Sequence, residues 1–307
     1  MRTAGTDMKG IRVTILGCGY SGIAIGHACL ARGADVLGTR RGTEGLAELD
    51  AAGIAGRRLD GTPDAAMISR LGTTTHLVSS VAPARQPPLD DPVLQLCRGL
   101  AACGRLPSLR WIGYLSATGV YGDHDGGWVD ESSVCRSVQP RSVVRREAEI
   151  GWAALGAGLG CPVALLRLAG IYGPGRNAVR DALAGRARML IKSGQVFGRI
   201  HVDDLATATA LAAAQRFDGV LGITDDEPAP PQDVIRHAHR LVGLAPPPAV
   251  DIATADISPM ARSFYAENKR VCNEASKRSL GMQYAFPDYR VGLASLVDGE
   301  REAGRNG

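Results

Sequence analysis

The feature that most constrains the fold is a glycine pattern set between apolar segments near the amino terminus. Residues 11–16 form a run rich in β-branched side chains, and residues 17–22, GCGYSG, then give the spacing G-x-G-x-x-G. Apolar residues recur at helical spacing over residues 23–32, and a second apolar segment covers residues 34–39. A strand, a glycine turn, a helix and a strand in this order predict a dinucleotide-binding unit.

Each glycine of this turn has a predicted physical role. Gly17 permits the tight turn out of the strand, Gly19 lets a pyrophosphate lie against the backbone, and Gly22 lets the helix pack close to the strand. The first helical turn directs N–H groups at the phosphates, so Tyr20 and Ser21 belong to the predicted cofactor site. Glycine is common here (39 of 307 residues), so the strand–turn–helix context carries the prediction.

The residues that end the second strand bear on which dinucleotide binds. NAD sites usually have an acidic residue here, which accepts the ribose 2′-OH, whereas this chain has Thr39, Arg40 and Arg41. Two guanidiniums and a hydroxyl suit a 2′-phosphate, so the sequence predicts NADP, bound as NADPH. A solvated basic turn is the alternative. Asp35 is the other carboxylate that could accept the ribose 2′-OH, but it lies at the start of the strand, the wrong end for the cofactor.

Strand and helix patterns continue to alternate up to residue 168. Apolar segments at residues 75–81, 109–116 and 162–168 are separated by helical patterns at residues 92–103 and 141–158. This alternation predicts an α/β fold of Rossmann type, a doubly wound parallel sheet covered by helices on both faces. Ligands of such sheets lie at the carboxyl ends of the strands.

Three further residues at strand ends join the predicted cofactor site. Asp60 could accept the adenine amino group, and a solvated turn aspartate is the slightly less favoured alternative. Val81 and Ala82 follow a buried strand at the edge where the nicotinamide ribose would lie.

The pattern changes after residue 168, where a turn-rich loop interrupts the alternation. We predict a dinucleotide-binding Rossmann domain over residues 1–168 and a smaller C-terminal substrate-binding lobe over residues 169–307, partly interleaved with it. Helices are predicted at residues 203–215 and 266–280. The polar, glycine-rich segment 122–140 is predicted to be a functional loop.

Composition and charge are those of an ordinary globular protein. Hydrophobic residues make up 45% and charged residues 21%, and the net charge of +4 is too small to indicate nucleic acid. The seven cysteines are scattered without a C-x-x-C pair, which predicts reduced thiols and no metal site. The leading MRTAGTDMKG lacks an apolar core, and no apolar run is long enough to cross a bilayer. We therefore expect a cytoplasmic protein without a membrane segment.

Several motifs in order resemble the extended short-chain dehydrogenase/reductase superfamily, and more narrowly its NAD(P)-dependent epimerase/dehydratase-like bacterial members. Besides the glycine turn, the matching segments are residues 114–122 (YLSATGVYG), 167–176 (RLAGIYGPGR), 199–206 (RIHVDDLA), 269–273 (KRVCN), 280–281 (LG) and 287–290 (PDYR). The resemblance implies the extended Rossmann fold, a nicotinamide cofactor, a small-molecule substrate and a homodimer.

The resemblance also implies a Tyr-x-x-x-Lys pair and a nearby Ser or Thr, which this chain replaces. When Glu149 is aligned with the family's trailing glutamate, Arg141 takes the Tyr position and Arg145 the Lys position, and the Ser/Thr position is Ala117. Arg145 could still hydrogen-bond a ribose, and Arg141 is a candidate substrate contact. An arginine does not release a proton near neutral pH, so reduction of a ketone through a phenol is not expected. A solvated helix face is the alternative for both arginines.

Reduction of a C=N bond does not demand the same acid, because an iminium ion arrives already protonated. Candidate catalytic residues besides Arg145 are Thr118, Tyr121 and His201, and candidate substrate contacts besides Arg141 are Trp128, Tyr172 and Arg176. A packed aromatic is the alternative for both tyrosines. His201 could be a proton donor, or it could owe its place to a helix N-cap at Asp203 or Asp204.

Three functions stay open at this point. The first, which we predict, is an NADPH-dependent reductase of a small metabolite, with imine reduction as a variant. The second is an NADP-binding sensor or scaffold without redox turnover, and the third is a non-redox enzyme that uses the same pocket. The missing tyrosine favours the last two, whereas the substrate-lobe motifs favour an enzyme.

Overall fold

The computed structural model of the protein describes residues 7–84 and 90–305. It divides into two compact units, each built from three segments of the chain. Unit 1 comprises Met1–Val120, Pro140–Arg167 and Leu205–Leu221, and unit 2 comprises Tyr121–Gln139, Leu168–Asp204 and Gly222–Gly307. The boundary after residue 168 stays a prediction, and residues 1–6 of the expected lead-in lie outside the described residues.

Short strands and helices alternate along the chain. The strands are β1 Arg12–Leu16, β2 Asp35–Arg40, β3 Ala55–Arg58, β4 His76–Ser79, β5 Trp111–Ala117, β6 Trp128–Val129, β7 Val163–Leu168, β8 Gly170–Tyr172, β9 Met189–Ile191, β10 Arg199–His201, β11 Gly219–Ile223, β12 Ala249–Asp251 and β13 Arg270–Val271. The helices are α1 Tyr20–Leu30, α2 Thr43–Ala51, α3 Ala65–Thr73, α4 Pro92–Ala102, α5 Pro140–Leu159, α6 Ala178–Leu183, α7 Val202–Gln215, α8 Pro231–Val242, α9 Pro259–Phe264, α10 Glu274–Leu280 and α11 Tyr289–Arg305.

A seven-stranded sheet organises the dinucleotide-type fold. Its strand order is β11-β7-β5-β4-β1-β2-β3, and β1 pairs in parallel with both β2 and β4. Consecutive strands run outward in one direction from β1 and in the other from β4, so the topological switch point lies between these two strands. Ligands of doubly wound sheets bind at this point, beyond the carboxyl ends of the strands. The predicted Rossmann-type α/β fold is confirmed.

The core of unit 1 forms where apolar helix faces cover the sheet. Trp152 of α5 is fully buried and its ring lies 5.9 Å from the ring of Tyr114 on β5, measured between centroids. Leu16, Leu77 and Ile112 contribute to the same cluster from β1, β4 and β5. These contacts fix α5 against β5, the strand whose end carries the unusual residues noted above.

Unit 2 contains three short parallel strand pairs and its own core. The pairs are β8 with β10, β9 with β12, and β6 with β13. Tyr172, Val179 and Leu293 are among the buried residues of its main cluster. No helix in the described ranges is long and apolar enough to cross a membrane.

The helix predicted over residues 266–280 is wrong in its first half. Arg270–Val271 forms strand β13, which pairs with β6, and helix α10 begins only at Glu274. The Asn273 side chain donates to the Thr224 carbonyl at 2.8 Å and to the Asp226 carboxylate at 2.7 Å. Partners distant in the sequence therefore hold this segment extended, against its local helical pattern.

Candidate functional site

The glycines in the turn between β1 and α1 leave space that a side chain would fill. Gly17 has φ of +81°, and a Cβ added to it would lie 2.5 Å from Val81 Cγ2. A Cβ added to Gly19 would lie 3.0 Å from Arg40 Nη1. No side chain caps the amino terminus of α1, the end of a helix whose first N–H groups have no partner inside the helix. This uncapped helix start behind a bare backbone fits the diphosphate of a dinucleotide.

Thr39 holds the glycine turn against the end of β2. Its buried hydroxyl accepts the Gly17 N–H at 3.0 Å and donates to the Ile15 carbonyl at 3.4 Å, and its carbonyl accepts the Cys18 N–H at 2.8 Å. These bonds engage the hydroxyl within the protein, and its contact with a 2′-phosphate stays a prediction. Thr39 shapes the turn, and the sequence offered no sign of that bond.

Arginines collect where β2 and β3 end. Arg40 is half-buried, forms an ion pair with Glu48 and donates from Nε to the Gly45 carbonyl at 3.3 Å, whereas Arg41 is exposed. In the β2–β3 register Arg40 lies opposite Arg58. The guanidiniums therefore stand at the strand end where a ribose 2′-phosphate binds in this fold class.

Arg58 is a member of this group that the sequence argument missed. Its Nε donates to the Arg41 carbonyl at 3.0 Å, and its Nη2 donates to the Asp60 carboxylate at 3.1 Å. The sequence shows an arginine two residues before Asp60, but only the register of β3 with β2 brings it beside Arg40. Asp60 lies beyond β3 and is engaged by Arg58, so its adenine contact stays a prediction.

The start of α5 lies against the end of β5. Arg145 donates from Nη1 to the Leu115 carbonyl at 2.9 Å. A Cβ added to Gly119 would lie 2.8 Å from Ser142 Oγ, so the turn after β5 also touches the helix. The bond to Leu115 places the Arg145 guanidinium at the carboxyl edge of the sheet.

The three replaced positions of the family pattern belong to this β5–α5 corner. Ala117 ends β5 and offers no polar side-chain group, while Arg141 and Arg145 lie one helical turn apart and are both half-buried. Thr118, also half-buried, begins a 3₁₀ turn over Thr118–Tyr121. Among these four residues only Thr118 has a hydroxyl, and a threonine hydroxyl is a poor acid near neutral pH.

Ser116 of β5 faces the interior. Its hydroxyl donates to the Glu149 carboxylate at 2.6 Å, and Arg167 binds the same carboxylate with its closest contact at 2.9 Å. All three side chains are buried. This network links β5, α5 and β7 and commits Glu149 to a structural role.

His201, a candidate proton donor in the sequence analysis, is buried in unit 2. Its ring lies 3.8 Å from the ring of Phe286 and meets Tyr172 edge-on at 5.2 Å, and its Nδ1 accepts the Asp203 N–H at 3.3 Å. Burial lowers the pKa of His201, so the imidazole is kept neutral. The Tyr172 hydroxyl is also turned inward and donates to the Asp288 carbonyl at 3.5 Å, which supports the packed-aromatic alternative for this residue.

Asp204, one of the two residues considered as a helix N-cap, binds a segment distant in the sequence. Its carboxylate accepts the backbone N–H groups of Ala285 and Phe286 at 2.8 and 2.9 Å. It therefore fastens the segment that precedes α11 to the start of α7.

The other predicted residues are distributed over both units. Tyr121 is fully buried in a small cluster with Val129 and Val271, which supports the packed-aromatic alternative for this residue. Trp128 and Arg176 are exposed on unit 2. The turn glycines, Tyr20, Ser21, the three residues 39–41, Asp60, Val81, Ala82, Thr118, Arg141 and Arg145 all belong to unit 1. The predicted cofactor residues are thus brought together within one unit.

The thiol of the glycine turn is buried, and the described part of the chain contains no cluster of metal-ligating side chains. Within residues 7–84 and 90–305, no group of three or more His, Cys, Asp or Glu side chains could hold a metal ion. Burial raises the pKa of the Cys18 thiol in the glycine turn to about 12. Cys18 is a filler residue, and Gly38 makes room for it, since an added Cβ would lie 2.7 Å from its Cβ.

Comparisons with known proteins agree with this fold. No protein-family model matches the chain. The solved structure of UDP-N-acetylglucosamine 4-epimerase from Bacillus cereus superposes with a TM-score of 0.77 at 15% identity, covering 95% of this chain and all of that one (100%). The UDP-glucose 4-epimerase of Thermus thermophilus, solved with NAD, gives 0.75 at 21% identity over 95% and 100%. The protein has the extended short-chain dehydrogenase/reductase fold of NAD-dependent epimerases and dehydratases.

A solved structure with higher sequence identity assigns the chain to a family. A functionally unknown conserved protein from Silicibacter pomeroyi DSS is 42% identical, with a TM-score of 0.85 over 94% of this chain and 98% of that one. The chain belongs to the family of that protein. Protein YeeZ of Escherichia coli K12 is 29% identical over 284 residues, 90% of this chain and 97% of its own. A Streptomyces 3-diazoavenalumate denitrifying reductase is 30% identical over 140 residues, so this match spans 42% of the chain and 45% of that reductase.

Proposed function

We propose that the protein is an NADPH-dependent reductase of a small metabolite and that the bond it reduces is C=N. The observation that carries this proposal is the β5–α5 corner, where Ala117, Arg141 and Arg145 stand in place of the usual hydroxyl, phenol and ammonium groups. A guanidinium does not give up its proton near neutral pH. A substrate that needs no proton from the enzyme is therefore the best match.

The choice of NADPH rests on the arginines at the ends of β2 and β3. Arg40, Arg41 and Arg58 give this edge a positive charge that a 2′-phosphate would complement. Glu48 and Asp60 lie beside them as ion-pair partners and not as acceptors dedicated to a ribose hydroxyl. The NAD bound to the Thermus thermophilus epimerase supports a nicotinamide dinucleotide in general.

The chain's own residues would hold the cofactor and orient the substrate. Uncapped N–H groups at the start of α1 would bind the diphosphate, and the N–H groups of Arg145 not used by Leu115 would bind the nicotinamide ribose. When bound, NADPH supplies a hydride, which converts a protonated imine to an amine and leaves NADP⁺, with no further proton required. The half-buried Arg141 would then position the substrate and would not act as an acid.

One relative supports a reductase with a nitrogen-containing acceptor. The Streptomyces protein is a denitrifying reductase of a diazo compound, 3-diazoavenalumate. Reductive loss of a diazo group, like imine reduction, does not require protonation of a carbonyl oxygen. This resemblance covers less than half of each chain and supports the class of reaction, not that substrate.

The direct test is NADPH oxidation against matched panels of cyclic imines and ketones. We expect turnover with imines and none with ketones, and we expect Arg141→Tyr to gain ketone reduction because it restores the phenol. Efficient ketone reduction by the unmodified protein would contradict the proposal. If NADPH binds but neither panel reacts, the alternative of an NADP-binding protein without redox turnover is favoured.

Cofactor preference is tested separately by fluorescence titration with NADPH and NADH. Arg41→Ala should weaken NADPH binding about tenfold, since a hydrogen bond to a charged group contributes about 1.5–3 kcal/mol. NADH binding should change by less than about twofold. Arg12→Ala, which removes an exposed arginine at the start of β1, is the matched control. An equal loss for both cofactors would remove the argument for a 2′-phosphate site.

A further inference from the structure

The start of α5 carries two positive charges where the fold places the reacting centre. Arg141 and Arg145 are four residues apart on one helix, so their side chains project from the same face. Arg145 donates to the Leu115 carbonyl, which is a neutral acceptor. The corner is therefore cationic at the end of β5.

Two buried acidic side chains at α5, Glu149 and Asp91, have partners within unit 1. Glu149 lies one turn further along α5 and is held by Arg167 and Ser116. The Asp91 carboxylate accepts the Trp152 indole N–H at 2.8 Å and the N–H groups that begin α4. Among the described residues Arg145 forms no ion pair with either carboxylate, so a ligand could supply the counter-charge.

The sheet order locates this corner relative to the cofactor. The switch point lies between β1 and β4, and the arginines that suit the adenosine phosphate stand at the end of β2. A dinucleotide that crosses the switch point from β2 extends its nicotinamide half over β4 and β5. This step rests on the proposed function, and it places Arg141 and Arg145 beside the substrate.

We propose that the substrate carries a carboxylate next to the C=N carbon and that Arg141 binds it, while Arg145 holds the nicotinamide ribose and adds its positive charge to the site. A protonated imine alone would be repelled by two guanidiniums, whereas an imino acid with its own carboxylate is neutral overall. A carboxylate also matches the planar donor fork of arginine. The hydride from NADPH forms the new C–H bond, the C=N electron pair passes to nitrogen, and the products are an amino acid and NADP⁺.

Binding of unreactive carboxylates tests this site independently of turnover. Pyrrole-2-carboxylate and indole-2-carboxylate would be titrated by calorimetry against the NADP⁺-saturated protein, each beside its uncharged carboxamide. We expect each acid to bind at least about tenfold more tightly than its amide, as for one charge-assisted contact. Arg141→Leu should reduce this ratio to within about twofold, and Arg141→Lys should restore part of it.

The exposed neighbour Arg146 provides the matched control. Arg146→Leu removes an equal charge from the same helix and should leave the acid-to-amide ratio unchanged. Equal affinities for acid and amide, undetectable binding of both acids, or an unchanged ratio in Arg141→Leu would overturn the carboxylate site. Thermal melting of each variant shows whether a loss of binding reflects a loss of folding.

A kinetic comparison separates failure of this inference from failure of the proposed function. The kcat/KM for 1-pyrroline-2-carboxylate should exceed that for 1-pyrroline by at least about tenfold. Equal reduction of both imines would leave the reductase standing and overturn the carboxylate site. Loss of NADPH binding would overturn the proposed function itself, whereas the acids could still be tested for binding to Arg141.

Discussion

Asp225 is a single buried residue that should make stability depend on pH. Burial raises its pKa from 3.8 to about 8, although the Arg199 guanidinium opposes the shift. Between these values the folded protein holds a proton that the unfolded chain has released, so stability falls as the pH rises toward 8. Burial lowers the pKa of His76 from 6.5 to about 4, which acts in the opposite direction and only below pH 6.5.

The contribution of His76 ends at pH 6.5, so the effect of Asp225 should be visible in the interval from pH 6.5 to 8. We expect the free energy of unfolding to fall across it by up to about 1.4 kcal/mol per pH unit, measured by chemical denaturation. Asp225→Asn preserves the shape without the charge and should flatten this dependence. The same slope in Asp225→Asn would show that another group is responsible.

Individual side chains were also the hardest part of the site to predict. Thr39, Tyr172 and His201 stand in suggestive sequence contexts, yet each is buried. The partners of their polar atoms include Gly17 and Asp288, which lie 22 and 116 residues away along the chain. A motif shows which residue type is present, but only tertiary contacts determine whether its polar atom faces a ligand.

At the scale of secondary-structure elements, helix α5 contains two glycines whose surroundings can be compared. A Cβ added to Gly156 would lie 2.1 Å from Val163 Cγ2 and 2.7 Å from the Cys161 carbonyl oxygen, whereas Gly158 has no neighbour within 4 Å. Gly156→Ala should destabilise the protein by about 2 kcal/mol or more, because the backbone carbonyl cannot move aside freely.

Gly158→Ala should instead stabilise by about 0.5 kcal/mol, because alanine is the better helix former and meets nothing there. Denaturant midpoints of the two variants measure both effects. Similar changes in both variants would mean that α5 is not packed tightly against the start of β7.

The elements of the dinucleotide-binding half were predictable for a physical reason. Residues 11–41 form a local unit in which apolar period, glycine spacing and strand ends all agree, and β1, α1 and β2 confirm it. In the segment 266–280 the local pattern and the structure disagree. Its first half is extended because it pairs with β6, a strand about 140 residues earlier in the chain. Arg58 was overlooked because its importance depends on register with β2.

At the scale of the whole molecule, the two units contain different groups of the predicted site residues. Every predicted cofactor contact falls within unit 1, although that unit draws on three separate segments of the chain. Two of the predicted catalytic and substrate residues, Tyr172 and His201, are core residues of unit 2. If the proposed function holds, cofactor binding should therefore leave a footprint confined to part of the chain.

Hydrogen–deuterium exchange measured by mass spectrometry can map that footprint across all peptides at once. NADPH should slow exchange in peptides that contain residues 17–22, because the N–H groups at the start of α1 would bind phosphate. Peptides that contain residues 39–46 should be protected more by NADPH than by NADH at equal saturation, since the 2′-phosphate is the only difference between the ligands. Helix α11 in unit 2 is the internal reference and should not change. Protection of α11 without protection of residues 17–22 would place the cofactor elsewhere and refute the site built on the glycine turn.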